Sequence, residues 1–214
     1  MNKAEQLPPQ PLTKALRTDT ILVSVMYANN ETGVIFPIEE IGEILADRQA
    51  SFHTDAVQVY GKIPLNPKAA NIDLLSISAH KINGPKGVGF LYQKEGVKLA
   101  KILHGGSQEE KRRAGTENLV GIVGMASAIV FLTQEQQQIN WEVYQQFQTY
   151  LLERLNQEGI QFEVNGDVER HLPHILNLRF FGVPSNLLLM HLDLQGIAIS
   201  TGSACSAGDV EPSH

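Results

Sequence analysis

Residues 72–78, Ile-Asp-Leu-Leu-Ser-Ile-Ser, run without a break into Ala79-His80-Lys81-Ile82-Asn83-Gly84-Pro85-Lys86-Gly87. An apolar strand that ends on hydroxyls, an imidazole and a lysine, then turns at Gly-Pro, restricts what the chain can become. The strand belongs in a sheet, and its polar end faces a cleft or solvent. In open α/β sheets, side chains from neighbouring strand ends converge outside the carboxyl edge, and ligands bind there. A lysine held in such a cleft gives up its proton more readily than an exposed one, because burial disfavours the ammonium. Taken alone, the segment fits equally well a strand that stops at a solvated lysine.

The rest of the chain supplies partners for that strand. Residues 20–26 (TILVSVM) are apolar and β-branched without polar alternation, which predicts a central parallel strand buried on both faces. Pro37 opens a helix in which Ile38, Ile41 and Leu45 share one face. Further strands are predicted from Ser51 through His53, over 72–78 and over 87–93, so strand and helix alternate as in an α/β layered fold with a mostly parallel sheet. Residues 117–137 and 141–157 have helical spacing. The Gln-rich stretch 134–138 reads as a solvated connection between them. Beyond Gly159, strand-like 175–181, helical 185–191 and strand-like 197–200 predict the start of a small α+β domain, with a boundary near residue 158. Residues 1–11, with Pro8, Pro9 and Pro11, read as a frayed segment ahead of a short helix at 12–17.

Charge and composition remove several classes of function. The 214 residues carry 17 Lys plus Arg against 23 Asp plus Glu, a net charge of −6, with no long basic cluster, which argues against nucleic acid as a partner. The longest uncharged apolar stretch, residues 119–132, falls short of the roughly 20 residues that cross a bilayer, so no membrane partner is expected. One cysteine permits no internal disulfide, and the prolines near the N-terminus leave no secretory apolar region; both point to a reducing, cytoplasmic setting.

Three further segments gather reactive groups. His53-Thr54-Asp55-Ala56-Val57-Gln58 follows a strand, and the small or apolar neighbours of Asp55 leave an ionised carboxylate in want of a cationic partner. A protonated pyridine nitrogen would serve. A lysine that forms a Schiff base, together with an aspartate facing a pyridinium nitrogen, is what a protein contributes to pyridoxal phosphate chemistry. Tyr27-Ala28-Asn29-Asn30-Glu31-Thr32-Gly33 carries amides that can bond a cofactor oxygen, although alone it reads as a turn. Cys205 lies in Ser200-Thr201-Gly202-Ser203-Ala204-Cys205-Ser206-Ala207-Gly208. A lone cysteine is most often a small buried hydrophobe, but these small polar neighbours and flanking glycines suit an accessible, mobile loop.

Together, ANNETG, HTDAVQ, SAHKINGPKGVG, GGSQEEKRRAGTEN and STGSACSAGDVEPS resemble, in order, the motifs of the pyridoxal-phosphate cysteine desulfurases of the NifS and IscS type, from about Leu12 to the last residue. The resemblance implies a fold-type-I pyridoxal phosphate-dependent transferase with a large cofactor-binding domain over 1–158 and part of a small domain over 159–214. It implies Lys81 as the Schiff-base lysine, Asp55 facing the pyridinium, Gln58 on the phenolate oxygen and Asn30 as a further cofactor contact. Ser78 and His80 would hold the phosphate, and Thr116 would reach the phosphate of the neighbouring subunit in a homodimer. Cys205 would be the nucleophile that takes sulfur from L-cysteine, leaving L-alanine and a persulfide for an acceptor protein in iron–sulfur cluster or thio-cofactor supply. No metal site is implied.

The family also carries a threonine/serine phosphate loop and a histidine over the cofactor ring before ANNETG, and, beyond the cysteine loop, an arginine for the substrate carboxylate. None of these is matched here, so the resemblance implies a chain truncated at both ends. Two alternatives follow: a non-catalytic remnant, or another fold-type-I enzyme such as a selenocysteine lyase or aminotransferase, for which a thiol in a Gly-Ser-Ala loop would have no use.

Overall fold

A computed structural model describes residues 9–203. The described residues divide into two compact units, one formed by residues 9–27 and 37–138, the other by 28–36 and 139–203. The first unit holds helix α1 (Pro9–Ala15), strand β1 (Leu22–Met26), helix α2 (Ile38–Leu45), strands β2 (Ser51–Asp55), β3 (Leu74–Ser78) and β4 (Gly89–Gln93), the single turn α3 (Gln108–Lys111) and helix α4 (Leu119–Val130). Its sheet has the order β1-β2-β3-β4, with β1, β2 and β3 parallel and β4 antiparallel to β3. The mixed α/β character and largely parallel sheet agree with the sequence.

The sheet is two-faced. Val23, Phe52, Thr54, Leu75 and Ile77 are buried, whereas Ser24, Met26, His53, Asp55, Ser76 and Ser78, two residues apart along each strand, are half-buried or exposed. Successive strand side chains alternate between faces, so the apolar face and the polar face each take one set. α2 presents Ile38, Ile41 and Leu45 as its buried stripe and keeps Glu40 and Glu43 exposed. Tyr27, buried just past β1, donates its hydroxyl to the Glu39 carboxylate, and burial together with that carboxylate pushes the phenol well above its usual range.

Four expectations are corrected. β1 is not a central strand buried on both faces: among the described residues it pairs only with β2, and Leu22, Ser24 and Met26 are exposed. Pro9 begins α1 rather than fraying, since a first-turn proline lacks only an N–H that has no intrahelical partner anyway. Gln134–Gln138 open helix α5 (Gln134–Gln157) instead of separating two helices, and the Thr133 hydroxyl accepts from the Gln136 amide as its N-cap. Residues 197–200 form no strand.

In the second unit, strands β5 (Phe162–Val164) and β6 (Leu178–Phe180) pair antiparallel, and helix α6 (Ser185–Leu194) follows. Residues 28–36 belong to this unit, tied to it by a bridge between Val34 and His171. The compact units part at Gln138, inside the first turns of α5, whereas the boundary expected near residue 158 falls just past that helix's last residue, Gln157.

Gly42 marks the closest packing of α2. A Cβ there would lie 1.9 Å from the Ala70 carbonyl oxygen, so Gly42→Ala should destabilise the chain by about 1–3 kcal/mol. Alanine's better helix propensity, worth about 1 kcal/mol, offsets only part of that. Urea unfolding measures the difference; an unchanged or raised midpoint would contradict this packing.

Candidate active site

The site is built on two adjacent strand ends. β2 and β3 pair in parallel with His53 opposite Leu74, Thr54 opposite Leu75 and Asp55 opposite Ser76, so their carboxyl ends open on the same edge. The Ala56 amide carries the pairing one step further by donating to the Ser76 carbonyl at 3.0 Å. Asp55 closes β2. Its Oδ1 accepts from the Val57 amide at 2.9 Å, which orients the carboxylate, and the side chain is exposed rather than enclosed by the small and apolar neighbours its sequence context suggested. Gln58 follows in the turn, half-buried.

Ser78 is the last residue of β3, and Ala79–Ile82 form a 3-10 turn. In such a turn residues three apart align. Ala79 and Ile82 are both buried, which leaves His80 exposed and Lys81 half-buried on the other side. The Ala79 amide donates to the Val88 carbonyl and the Gly84 amide to the Ala79 carbonyl, and Asn83 takes φ +62° to close the turn. Ser78 Oγ and His80 Nδ1 are hydrogen bonded at 2.7 Å. A hydroxyl, an imidazole, an amine and, on the next strand, a carboxylate therefore meet one edge of the sheet.

Asn30 lies in the other unit, on an exposed turn. Asn29 builds that turn: its Oδ1 accepts from the Glu31 and Thr32 amides, and the Gly33 amide donates to the Asn29 carbonyl. The Asn30 amide donates to Ser203 Oγ at 3.1 Å. Gly33 has φ +77°, and a Cβ on it would lie 2.6 Å from His171 Nε2, so only glycine fits above this imidazole. His171 is buried and its Nε2 has no hydrogen-bond partner. Thr116 is exposed in the segment between α3 and α4, and Cys205 lies outside the described residues.

One feature of the strand ends escaped the sequence reading. His53 Nδ1 is bonded to Ser24 Oγ at 2.7 Å and its Nε2 to Ser76 Oγ at 2.8 Å, which links β1, β2 and β3 on the polar face. The signal was available as a hydroxyl or imidazole in the middle of each apolar strand: Ser24 in LVSVM, His53 in SFHTD and Ser76 in LLSIS. No group of acidic, histidine or cysteine side chains among the described residues could hold a metal ion, and none of their helices alone is long and apolar enough to cross a membrane.

These strand ends, with a lysine turn after one and an aspartate closing the other, carry the motifs of one family, and the chain belongs to it: the class-V aminotransferase model matches residues 1–214. Among curated relatives, the IscS 1 protein of Bacillus subtilis (strain 168) is 57% identical over 201 residues, covering 94% of this chain and 53% of that protein. The cysteine desulfurase IscS of Dictyoglomus turgidum is 47% identical over 206 residues, covering 96% and 52%. A solved NifS-like protein superposes with a TM-score of 0.85 at 36% identity, covering 91% of this chain and 53% of that one. A solved structure of SspA in complex with cysteine has a TM-score of 0.74 at 31% identity, covering 94% and 55%. The chain spans about half the length of the relatives it matches.

The His171 pocket makes the second unit acid-sensitive. Burial lowers the imidazole's pKa below 6.5, outweighing the Thr32 carbonyl and Asp167, which act in the opposite direction. The unfolded chain is therefore protonated first, and the stability held above about pH 6.5 is lost progressively as pH falls below it. His171→Gln should reduce the drop in urea midpoint between about pH 7.5 and about pH 5.5. An undiminished drop would contradict a buried neutral imidazole.

Proposed function

We propose that the chain carries the catalytic core of a cysteine desulfurase that uses pyridoxal phosphate and L-cysteine. One observation supports this above the others: Asp55 and the Ser78-His80-Lys81 group occupy the carboxyl ends of adjacent parallel strands in a chain of this family. The donor set suits the cofactor. An exposed carboxylate fits a pyridinium, the bonded hydroxyl and imidazole of Ser78 and His80 fit a phosphate, and the half-buried amine of Lys81 fits the aldehyde. Gln58 would bond the ring's phenolate oxygen, and Asn30 is carried over as a further cofactor contact.

Pyridoxal phosphate, when bound, supplies an electron sink for negative charge at the substrate's α-carbon. Everything else falls to the protein. Lys81 would hold the cofactor covalently, and its Nζ would take the substrate's α-proton and later return it to that carbon. Asp55 would hold a proton on the ring nitrogen. The Cys205 thiolate attacks the substrate sulfur: a sulfur–sulfur bond forms, the carbon–sulfur bond breaks with its electron pair staying on carbon, and that carbon gains a proton to become the methyl of alanine. Since an ordinary thiol has a pKa of about 8.5, the loop must favour the thiolate or bring it to a cationic neighbour. The same reading includes a homodimer with Thr116 at the partner's phosphate and a protein acceptor for the persulfide sulfur. It also includes a cofactor-binding domain to about residue 158 with part of a small domain after it, and a cytoplasmic location. A thiol at position 205 favours sulfur transfer over transamination.

Borohydride reduction after incubation with pyridoxal phosphate, followed by peptide mapping, should place the pyridoxyl group on Lys81, and Lys81→Ala should abolish capture; labelling of Lys86 instead would refute the assignment. Asp55→Ala should lower desulfurase turnover by about 10²-fold or more, the scale of a lost charge-stabilising group. Cofactor affinity should fall only about tenfold, because the phosphate and the lysine linkage remain. Equal losses in both would make Asp55 structural.

A further inference from the structure

We infer that His53 is a positioning residue of the cofactor site: through Ser76 it fixes the spacing between the ends of β2 and β3, and hence between Asp55 and Lys81. The inference rests on the cofactor reading of those two residues. β1 and β2 share five register pairs and β3 and β4 share five, whereas β2 and β3 share three. The least extensively paired strands are thus the two whose relative placement matters most, since one ends in Asp55 and the other leads through Ser78 into Lys81.

The His53–Ser76 bond reinforces that pairing where it is needed. Ser76 is held twice from the β2 side, by the amide of Ala56, just past the strand, on its carbonyl and by His53 Nε2 on its hydroxyl at 2.8 Å. His53 is anchored in turn by Ser24 Oγ on Nδ1 at 2.7 Å, so the planar ring spans three strands with both nitrogens engaged. Serine hydroxyls donate or accept by rotation, which lets the ring keep this position in either tautomer. His53 and Asp55 sit two residues apart on the same face, so a shift of β2 against β3 displaces the carboxylate and the lysine turn relative to each other. A rigid ring of β2 bonded to Ser76 of β3 resists such a shift, and misplacement by about 1 Å can cost a reaction about 10²-fold.

The test uses the full chain and four variants, His53→Leu, His53→Gln, Ser76→Ala and Ser24→Ala, with two measurements. The first is pyridoxal phosphate affinity by absorbance titration, with borohydride trapping at Lys81. The second is amide hydrogen exchange of the cofactor-free protein over residues 52–57 and 73–78. Ser76→Ala and His53→Leu should weaken cofactor binding about tenfold and speed exchange in both segments, as loss of the hydrogen bond and of the strand contact it holds would do. Ser24→Ala should have a smaller effect on both, because β1 and β2 remain paired along five residues. His53→Gln, whose amide can both donate and accept, should recover part of the loss seen with leucine. If the wild type captures cofactor at Lys81 while Ser76→Ala matches Ser24→Ala in affinity and exchange, the inference is overturned and the functional reading stands. If the wild type captures none, both fall. Should His53→Leu fail to fold, the comparison of the two serine variants decides the matter.

Discussion

Everything proposed for this chain depends on the short parallel pairing of β2 with β3. Parallel strands point their carboxyl ends the same way, so two segments that are far apart in sequence deliver an aspartate and a lysine turn to one edge. Neither residue is unusual alone: Asp55 is an exposed carboxylate bonded to the next turn, and Lys81 a half-buried amine on a 3-10 turn. Their placement comes from backbone hydrogen bonds that carry no chemical specificity. The proposed function is thus a consequence of register.

Register in turn depends on the difference between the two faces of the sheet. Phe52, Leu75 and Ile77 are buried on one face and α2 buries its own apolar stripe, so slipping a strand by one residue would exchange that set for His53, Ser76 and Ser78. The opposite face carries the Ser24–His53–Ser76 chain of hydrogen bonds together with the exposed apolar side chains of Leu22, Met26 and Leu91. Apolar burial fixes which residues face the site, and polar bonds adjust how far apart they stand. The same division of labour recurs in the turn holding Asn30, where Asn29 shapes the backbone and Gly33 leaves room for the His171 ring.

Much of this was legible from residue order because the local signals were strong. β3 and its turn were recognisable from an apolar run ending in SAHK, and α2 from Pro37 and its apolar spacing. The failures have physical causes. A run such as TILVSVM has the same composition whether or not a second layer covers it, since coverage is a property of the neighbours. The start of α5 has no apolar periodicity; its signal is the Thr133-Gln134-Glu135-Gln136 cap, which pattern reading passed over. β5 spans three residues, too few for alternation to register. Motif reading located the charged and reactive groups, whereas the histidine bridging two serines needed strand register to be seen.

The kinship with IscS and NifS-like proteins and the strand-end geometry both support the proposal that this edge holds pyridoxal phosphate through Lys81 with its ring nitrogen toward Asp55. A crystal structure of the chain grown with pyridoxal phosphate tests it most directly. Continuous density is expected between the cofactor's aldehyde carbon and Lys81 Nζ, with the ring nitrogen within hydrogen-bond reach of the Asp55 carboxylate and the phosphate against Ser78 and His80. Cofactor joined to a different lysine, or lying with its ring away from the ends of β2 and β3, would contradict it.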